Sequence, residues 1–135
     1  MACHGAIPLA GCIYRAYTAT VTDDVGDIGA VLAAATGFDW DDGNAPKVRA
    51  RHDVDPGECE QAFLLEPFVV SADAKHSDTE RRWRALGRTY ADRYLFLVFT
   101  MRGTLIRVVQ ARNMNRKERR SYADAQARAK TDSNF

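Results

Sequence analysis

The chain has 135 residues, enough for one domain with one core, and a composition of 46% hydrophobic and 27% charged residues excludes wholesale disorder. The net charge of +1 is unevenly spread: residues 1–74 balance at −8, with twelve acids against four bases, and residues 75–130 balance at +10, with fifteen Lys or Arg against five acids. Such asymmetry points to a polyanionic partner for the C-terminal half, RNA first, with a self-neutralising, salt-bridged surface as the alternative.

Three cysteines, Cys3, Cys12 and Cys59, with no C-x-x-C pair, argue against a disulfide framework and for a reducing cytoplasm. Cys3 beside His4 is too small a set to specify a metal site. No basic residue precedes Arg15, and the apolar stretch 6–13 is broken by Pro8 and Gly11, so the N-terminus does not read as a signal peptide. No apolar run approaches membrane-spanning length, so no membrane partner is expected.

Residues 1–37, rich in Ala, Gly and Thr, read as an N-terminal extension of unknown role. Within them Asp27 is expected to cap a short helix through Val31, Leu32 and Ala35, with Gly37 as its stop. The domain proper is expected to span 38–130, with a frayed tail at 131–135. It opens on Phe38-Asp39-Trp40-Asp41, whose alternation suits a short strand. Asp41 or Asp42 is then placed to cap a helix running to His52, with Pro46 in its first turn. Asp55-Pro56 opens a second helix whose body runs from Glu58 to Leu65.

Phe68-Val69-Val70 reads as a strand and Asp73 to Asp78 as a polar loop. In Glu80 to Arg88 a strand would send Trp83 and Ala85 one way and Arg82, Arg84 and Arg88 the other. Tyr94 to Thr100 and Leu105 to Ala111 form a hairpin around Arg102-Gly103. Its register puts Leu95, Leu97, Phe99, Ile106 and Val108 on the core face. Phe96, Val98, Thr100, Arg107, Val109 and Ala111 fall on the other. Asn115-Arg116-Lys117-Glu118 has capping-box spacing and starts the last helix, along which Glu118, Tyr122 and Ala125 share a side. The order gives an α+β class.

Several of these stretches, taken in order, resemble the BrnT toxins. They are Phe38-Asp39-Trp40-Asp41, Arg51-His52, Glu80 to Gly87, Ile106 to Arg112, and Arg116 to Tyr122. The resemblance covers about residues 38–125. It implies the RelE-like ribonuclease superfamily of type II toxin–antitoxin systems: a small antiparallel sheet, two helices on its N-terminal side and a C-terminal helix. It also implies a cytoplasmic, growth-inhibiting endoribonuclease that needs no metal or other cofactor. A BrnA-like ribbon-helix-helix antitoxin would neutralise it, and operator DNA would be touched only through that antitoxin. The sequence departs from the family at Asn44, at Val48 and at Arg51-His52-Asp53, where a K-H-G triplet is usual. The alternative is a degenerate, non-catalytic toxin that binds an antitoxin or nucleic acid; a DNA-binding regulator comes third, since no helix-turn-helix pattern stands out.

Metal-free RNA cleavage must align the 2′-hydroxyl with phosphorus, stabilise developing charge and move two protons. Arg107, a charge inside an apolar strand, is the first candidate for the scissile phosphate, with a salt-bridged arginine as the alternative. Arg82 and Arg112 follow: Arg82 either in catalysis or, with Arg84 and Arg88, in tracking the RNA backbone, and Arg112, at the strand exit, either on the phosphate or closing the sheet against the last helix. Arg112, Arg51, Arg116 and Arg119 complete the expected RNA-binding set. His52 is the proton-transfer candidate, or a histidine serving its helix end, and His76 ranks below it. Glu118 is a base, an orienter of an arginine, or simply the capping residue. Tyr122 either meets the RNA or packs its helix on the sheet. Trp40 and Trp83 are expected in the core.

Overall fold

The computed structural model describes residues 28–73 and 80–132. They form four helices and one five-stranded sheet, an α+β architecture. In chain order these are α1 (Ile28–Ala33), β1 (Gly37–Phe38), α2 (Ala45–His52), α3 (Pro56–Leu64), β2 (Val69–Ala72), β3 (Trp83–Arg88), β4 (Tyr94–Arg102), β5 (Leu105–Asn113) and α4 (Arg116–Asp132). The sheet order is β1-β5-β4-β3-β2. It is antiparallel except at one edge, where β1 runs parallel to β5 and pairs with Leu105 and Ile106. The expected small antiparallel sheet is present, and β1 adds a parallel edge that makes the whole sheet mixed.

Two helix starts follow from short-range capping. At α3, the Asp55 side chain takes the backbone N–H of Glu58, whose carboxylate takes the N–H of Asp55. At α4, Asn115 and Glu118 exchange the same pair of bonds at 2.8 and 2.9 Å. At α2 the expectation fails: Asn44, not Asp41 or Asp42, is the capping position. Asp41 turns its carboxylate onto the N–H of Gly43 instead, at 2.7 Å, closing a tight turn before the helix. The strand expected over 38–41 is only Gly37–Phe38, because the chain after Phe38 leaves the sheet edge for that turn. β3 starts at Trp83, so Arg82 precedes it.

One face of the sheet and helices α1 to α3 enclose the core. Phe63 of α3 is at its centre, with ring centroids 5.4 Å from Phe38, 4.6 Å from Phe68 and 5.1 Å from Phe99, and Trp83 stacks on Phe99. Such contacts add about 0.5–1.5 kcal/mol each to the burial of the rings. Ile28, Leu32 and Ala35 are fully buried in the same core, upstream of position 38, where the domain was expected to begin. Asp27, the expected cap of α1, lies outside the described residues, and Gly37 is a strand residue rather than a helix stop. Trp40 packs at the core margin and donates its Nε1–H to Glu60 at 2.8 Å.

The hairpin departs from a regular ladder at one place. Val98 pairs with Gln110 but Phe99 pairs with Val108, so Val109 is an extra residue in β5. Before the bulge the expected faces hold: Ile106 and Val108 join Leu95, Leu97 and Phe99 in the core, and Arg107 pairs with Thr100 on the outer face. After it the phase reverses. Ala111, expected outside, is buried in the core, while Gln110 and Arg112 emerge on the outer face.

Candidate functional site

The outer face carries two adjacent cross-strand rows. Val69, Leu86, Phe96 and Arg112 form one; Ser71, Arg84, Val98 and Gln110 form the other. Helix α4 covers part of this face. Tyr122 meets the ring of Tyr94 with centroids 5.8 Å apart and donates its hydroxyl to the carbonyl of Pro67 at 2.6 Å. It is 1% exposed, and burial pushes its phenol well above the ordinary value. Tyr122 thus takes the packing role among those open to it.

Arg112 stands at the margin of α4. Nη1 and Nη2 donate to the two oxygens of Glu118 at 2.8 and 2.9 Å, Nη1 also donates to the carbonyl of Asn113, and the guanidinium lies 4.0 Å from the Phe96 ring centre. Three of the five N–H donors are thereby used. The two without an acceptor among the described residues are Nε–H and the second hydrogen of Nη2, which form the side edge of the fork, the geometry that grips two oxygens of a phosphate. Burial pushes the Glu118 carboxyl up. The bonds from Arg112 and the Asn115 N–H, with the charges of Arg112 and Arg84, outweigh that and hold it below the usual carboxylate range. Glu118 thus both pairs with Arg112 and caps α4.

Arg107 is placed differently. Its Nη1 and Nη2 donate to both oxygens of Asp41 at 3.1 and 3.0 Å, and Asp39 lies 3.4 Å from Nη1. The residue is 8% exposed. An incoming phosphate would meet two carboxylates there, so the salt-bridged alternative describes Arg107 better than phosphate contact. Arg107 in turn holds the Asp41 carboxyl below its ordinary value, helped by the Gly43 N–H. A side chain on Gly43 would come within 2.9 Å of Nη2, so the glycine lets the turn close on the arginine.

His52 ends α2, exposed, in a groove of ≈ 380 Å³ with Lys47, Arg51, Val109 and Gln110. Gln110 joins this groove to the outer-face rows: Arg84 and Gln110 are separated only by Val98, about 10 Å at the usual strand spacing. The fold thus brings Arg112, Glu118 and Arg84 together, and sets Lys47, Arg51 and His52 against β5, the strand of Arg112, two strands from Arg84. Arg88 is occupied, donating to the Glu66 carbonyl and the Asp92 carboxylate. Arg119 lies 5.3 Å from the Tyr94 ring centre, and Arg116 is exposed at the start of α4. Arg82 flanks β3, its carbonyl accepting the N–H of Asp73. His76 lies outside the described residues, as do Cys3 and Cys12. Cys59 is buried, its thiol pushed up to about 12 by burial and by the charges of Glu58 and Glu60.

Two residues given no role from the sequence, Arg93 and Asn44, hold the site together. Arg93 donates to the Asn113 side chain, the carbonyls of His52 and Asp53, and Glu58, all between 2.8 and 3.1 Å, tying β5 and α3 to the C-terminal end of α2. Asn44, 2% exposed, accepts the N–H of Asp41 and donates to the carbonyls of Asp39 and Val108. No local motif marks either: the Arg93 partners lie 20 to 41 residues away, and Asn44 joins the nearby Asp39 and Asp41 to Val108, 64 residues on. Among the described residues, no group of three or more His, Cys, Asp or Glu is arranged to hold a metal, and no helix is long and apolar enough to cross a membrane.

A family described as the BrnT ribonuclease toxins of type II toxin–antitoxin systems matches residues 40–118, which contain Asp41, Asn44, His52, Arg84, Arg93, Arg107, Arg112 and Glu118. None of the curated proteins compared with the chain matches it.

Proposed function

The chain belongs to the BrnT family of ribonuclease toxins of type II toxin–antitoxin systems, and on that premise we propose that it is a metal-independent endoribonuclease whose working surface is the outer sheet face from Arg84 and Arg112 to the His52 groove. Membership implies an RNA substrate and an antitoxin partner; a BrnA-like ribbon-helix-helix antitoxin, which alone would contact operator DNA, fits the family reading, as does a cytoplasmic setting and a RelE-like relationship of the fold.

In this reading the substrate's 2′-oxygen attacks the adjacent phosphorus and the P–O5′ bond breaks, leaving a 2′,3′-cyclic phosphate and a 5′-hydroxyl. The open edge of Arg112 holds two phosphate oxygens as charge builds on them. Glu118 keeps that edge aimed outward. His52 supplies an imidazole for one of the two proton transfers, beside Lys47 and Arg51, which contact backbone phosphates. Arg107 is given a positioning role, fixing the turn that leads into α2. The observation that carries the proposal is the state of Arg112: anchored by Glu118 and Phe96, with a two-donor edge left unused.

The test is direct. Full-length protein produced without antitoxin should arrest growth, and purified protein should cut RNA in EDTA to give cyclic-phosphate ends. Absence of cleavage by folded, antitoxin-free protein would overturn the proposal. The pairing of Arg107 with Asp39 and Asp41 favours one competitor, a non-catalytic toxin that retains RNA or antitoxin binding. That reading requires binding without growth arrest.

A further inference from the structure

Two guanidiniums of the outer face rest on neighbouring rings of one strand. Arg112 lies 4.0 Å from the centre of the Phe96 ring, and Arg119 lies 5.3 Å from that of Tyr94. The two rings are two residues apart in β4, so they stand on the same side of the sheet, about 7 Å apart at the usual rise per residue. The arginines themselves come from different elements, the end of β5 and the first turn of α4. Arg112 is turned to Glu118. Arg119 is exposed and has no acceptor among the described residues. A ring face steadies a guanidinium without using an N–H donor, so all five donors of Arg119 are open to a ligand.

Folding does not account for this charge. α4 opens with Arg116, Lys117, Arg119 and Arg120 against one acid, Glu118, which Arg112 already engages. Cations at the start of a helix oppose its dipole, and close neighbours of like charge repel one another. An anion supplied from outside relieves both. Position says which anion. Phe96 is paired with Arg112; Gln110 of the His52 groove is level with Val98, two residues on, and Tyr94 is two residues back. Arg119 and the His52 groove therefore lie on opposite sides of Arg112. A strand whose scissile phosphate sits on the open edge of Arg112 meets Arg119 with a neighbouring phosphate, since the ring spacing is comparable to one step between phosphates of an extended single strand. An acidic protein segment would also answer a single cation. Two forks one phosphate step apart, the first already at the scissile position, favour the nucleic acid.

We infer that Arg119, steadied on Tyr94, is a second phosphate site that takes the phosphodiester next to the scissile one. It fixes the path of single-stranded RNA from the His52 groove, across Arg112, to the start of α4. This rests on the ribonuclease reading and deepens it: the substrate must carry a second phosphate on one particular side of the cleaved bond, so a dinucleotide is too short.

The test uses the full-length protein and short oligodeoxynucleotides carrying one central ribonucleotide, whose single 2′-hydroxyl fixes the linkage that is cut. In two further oligomers an uncharged methylphosphonate replaces the linkage one step 5′ or one step 3′ of that site. One of the two should lower kcat/KM about tenfold, through KM, the effect of one charged hydrogen-bond contact. Arg119→Gln should show that loss on the fully charged oligomer, and the same methylphosphonate should then cost nothing more. Arg128→Gln, which removes an exposed cation about 14 Å further along α4, should behave as wild type. Wild-type indifference to both methylphosphonates, or a full penalty in folded Arg119→Gln, would overturn the inference. Binding of the same oligomer with 2′-fluorine in place of the hydroxyl is measured against salt. Arg119→Gln should reduce the slope of log affinity on log salt by about 0.7, one phosphate contact on a single strand. That change without cleavage defeats the ribonuclease reading alone; cleavage with an unchanged slope defeats the second site alone. Weaker binding of poly-glutamate by Arg119→Gln, with the strand unaffected, would assign the residue to an acidic protein partner and also overturn it.

Discussion

Glu118 accepts both terminal nitrogens of Arg112, one on each carboxylate oxygen, from a helix that begins only four residues after the arginine. A capping residue and a positioning residue are here the same side chain. Glu118→Gln retains an oxygen for the Asn115 N–H but loses the charge and one of the two acceptors facing Arg112. The variant should stay helical and lose about ten- to a hundredfold in kcat for RNA cleavage, the usual effect of releasing an oriented group. Wild-type kcat in folded Glu118→Gln would remove the pair from the site.

The same pair gives the molecule an acid limb. Because the folded protein holds the Glu118 carboxyl below its ordinary value of 4.5, the pair's contribution to stability is complete above that value. It is lost as pH falls through the lower folded value. Asp41 has the same sign. Melting temperature should therefore be flat from neutrality to about pH 5 and fall below it. Glu118→Gln should make the fall shallower, and an unchanged acid slope would contradict the assignment.

Arg107 and Arg112 lie on the same strand face but should separate under mutation. Arg112→Ala is expected to cost about a hundredfold in kcat, on the scale of a lost oxyanion donor, with little change in melting temperature. Arg107→Ala should lower the melting temperature, by freeing Asp39 and Asp41 from their shared partner, and reduce turnover per folded molecule far less than Arg112→Ala does. The reverse pattern would return the phosphate-binding role to Arg107.

Arg93→Ala removes donors from four acceptors at once. The expected destabilisation is about 2–3 kcal/mol in urea unfolding, modest per bond because the side chain is partly exposed. His52 is carried by the helix end that Arg93 holds, so cleavage should decline as well.

At Gly87 the approach of β3 to α3 is the determinant. A Cβ there would lie 3.0 Å from the Ala62 Cβ and 3.1 Å from its carbonyl oxygen, backbone that cannot turn aside. Gly87→Ala should cost about 1–3 kcal/mol of overpacking and leave the outer face, and hence RNA affinity, unaltered. An unchanged denaturation midpoint would show that the two elements can separate freely.

What was legible in the sequence was local. The capping spacing at Asn115 spans three residues and the Asp55-Pro56 helix start spans two, and the chain realises both. Alternation through Leu95, Leu97 and Phe99 identifies a half-buried strand without knowledge of its neighbours. The charge on Arg84 and Arg112 was visible, but not which arginines were already matched. Asp41 lies 66 residues from Arg107, and the Val108 carbonyl 64 from Asn44, so these assignments depend on how the sheet edge meets the turn. Pattern alone made Arg107 the stronger candidate because an isolated charge in an apolar strand stands out. It stands out equally when its partners are remote acids.

The extra residue at Val109 has a consequence for how this surface can change. The side on which a strand residue emerges is a matter of parity, and one inserted residue shifts every later position from odd to even. Deleting Val109 would leave Val108, Gln110, Ala111 and Arg112 alternating in, out, in and out, each opposite its present partner on β4. A β5 that kept all its residues but took Val109 into the ladder would instead turn Arg112 toward the aromatic core and Ala111 outward. The toxin's charged face thus depends on where one residue is left unpaired, even with every amino acid kept.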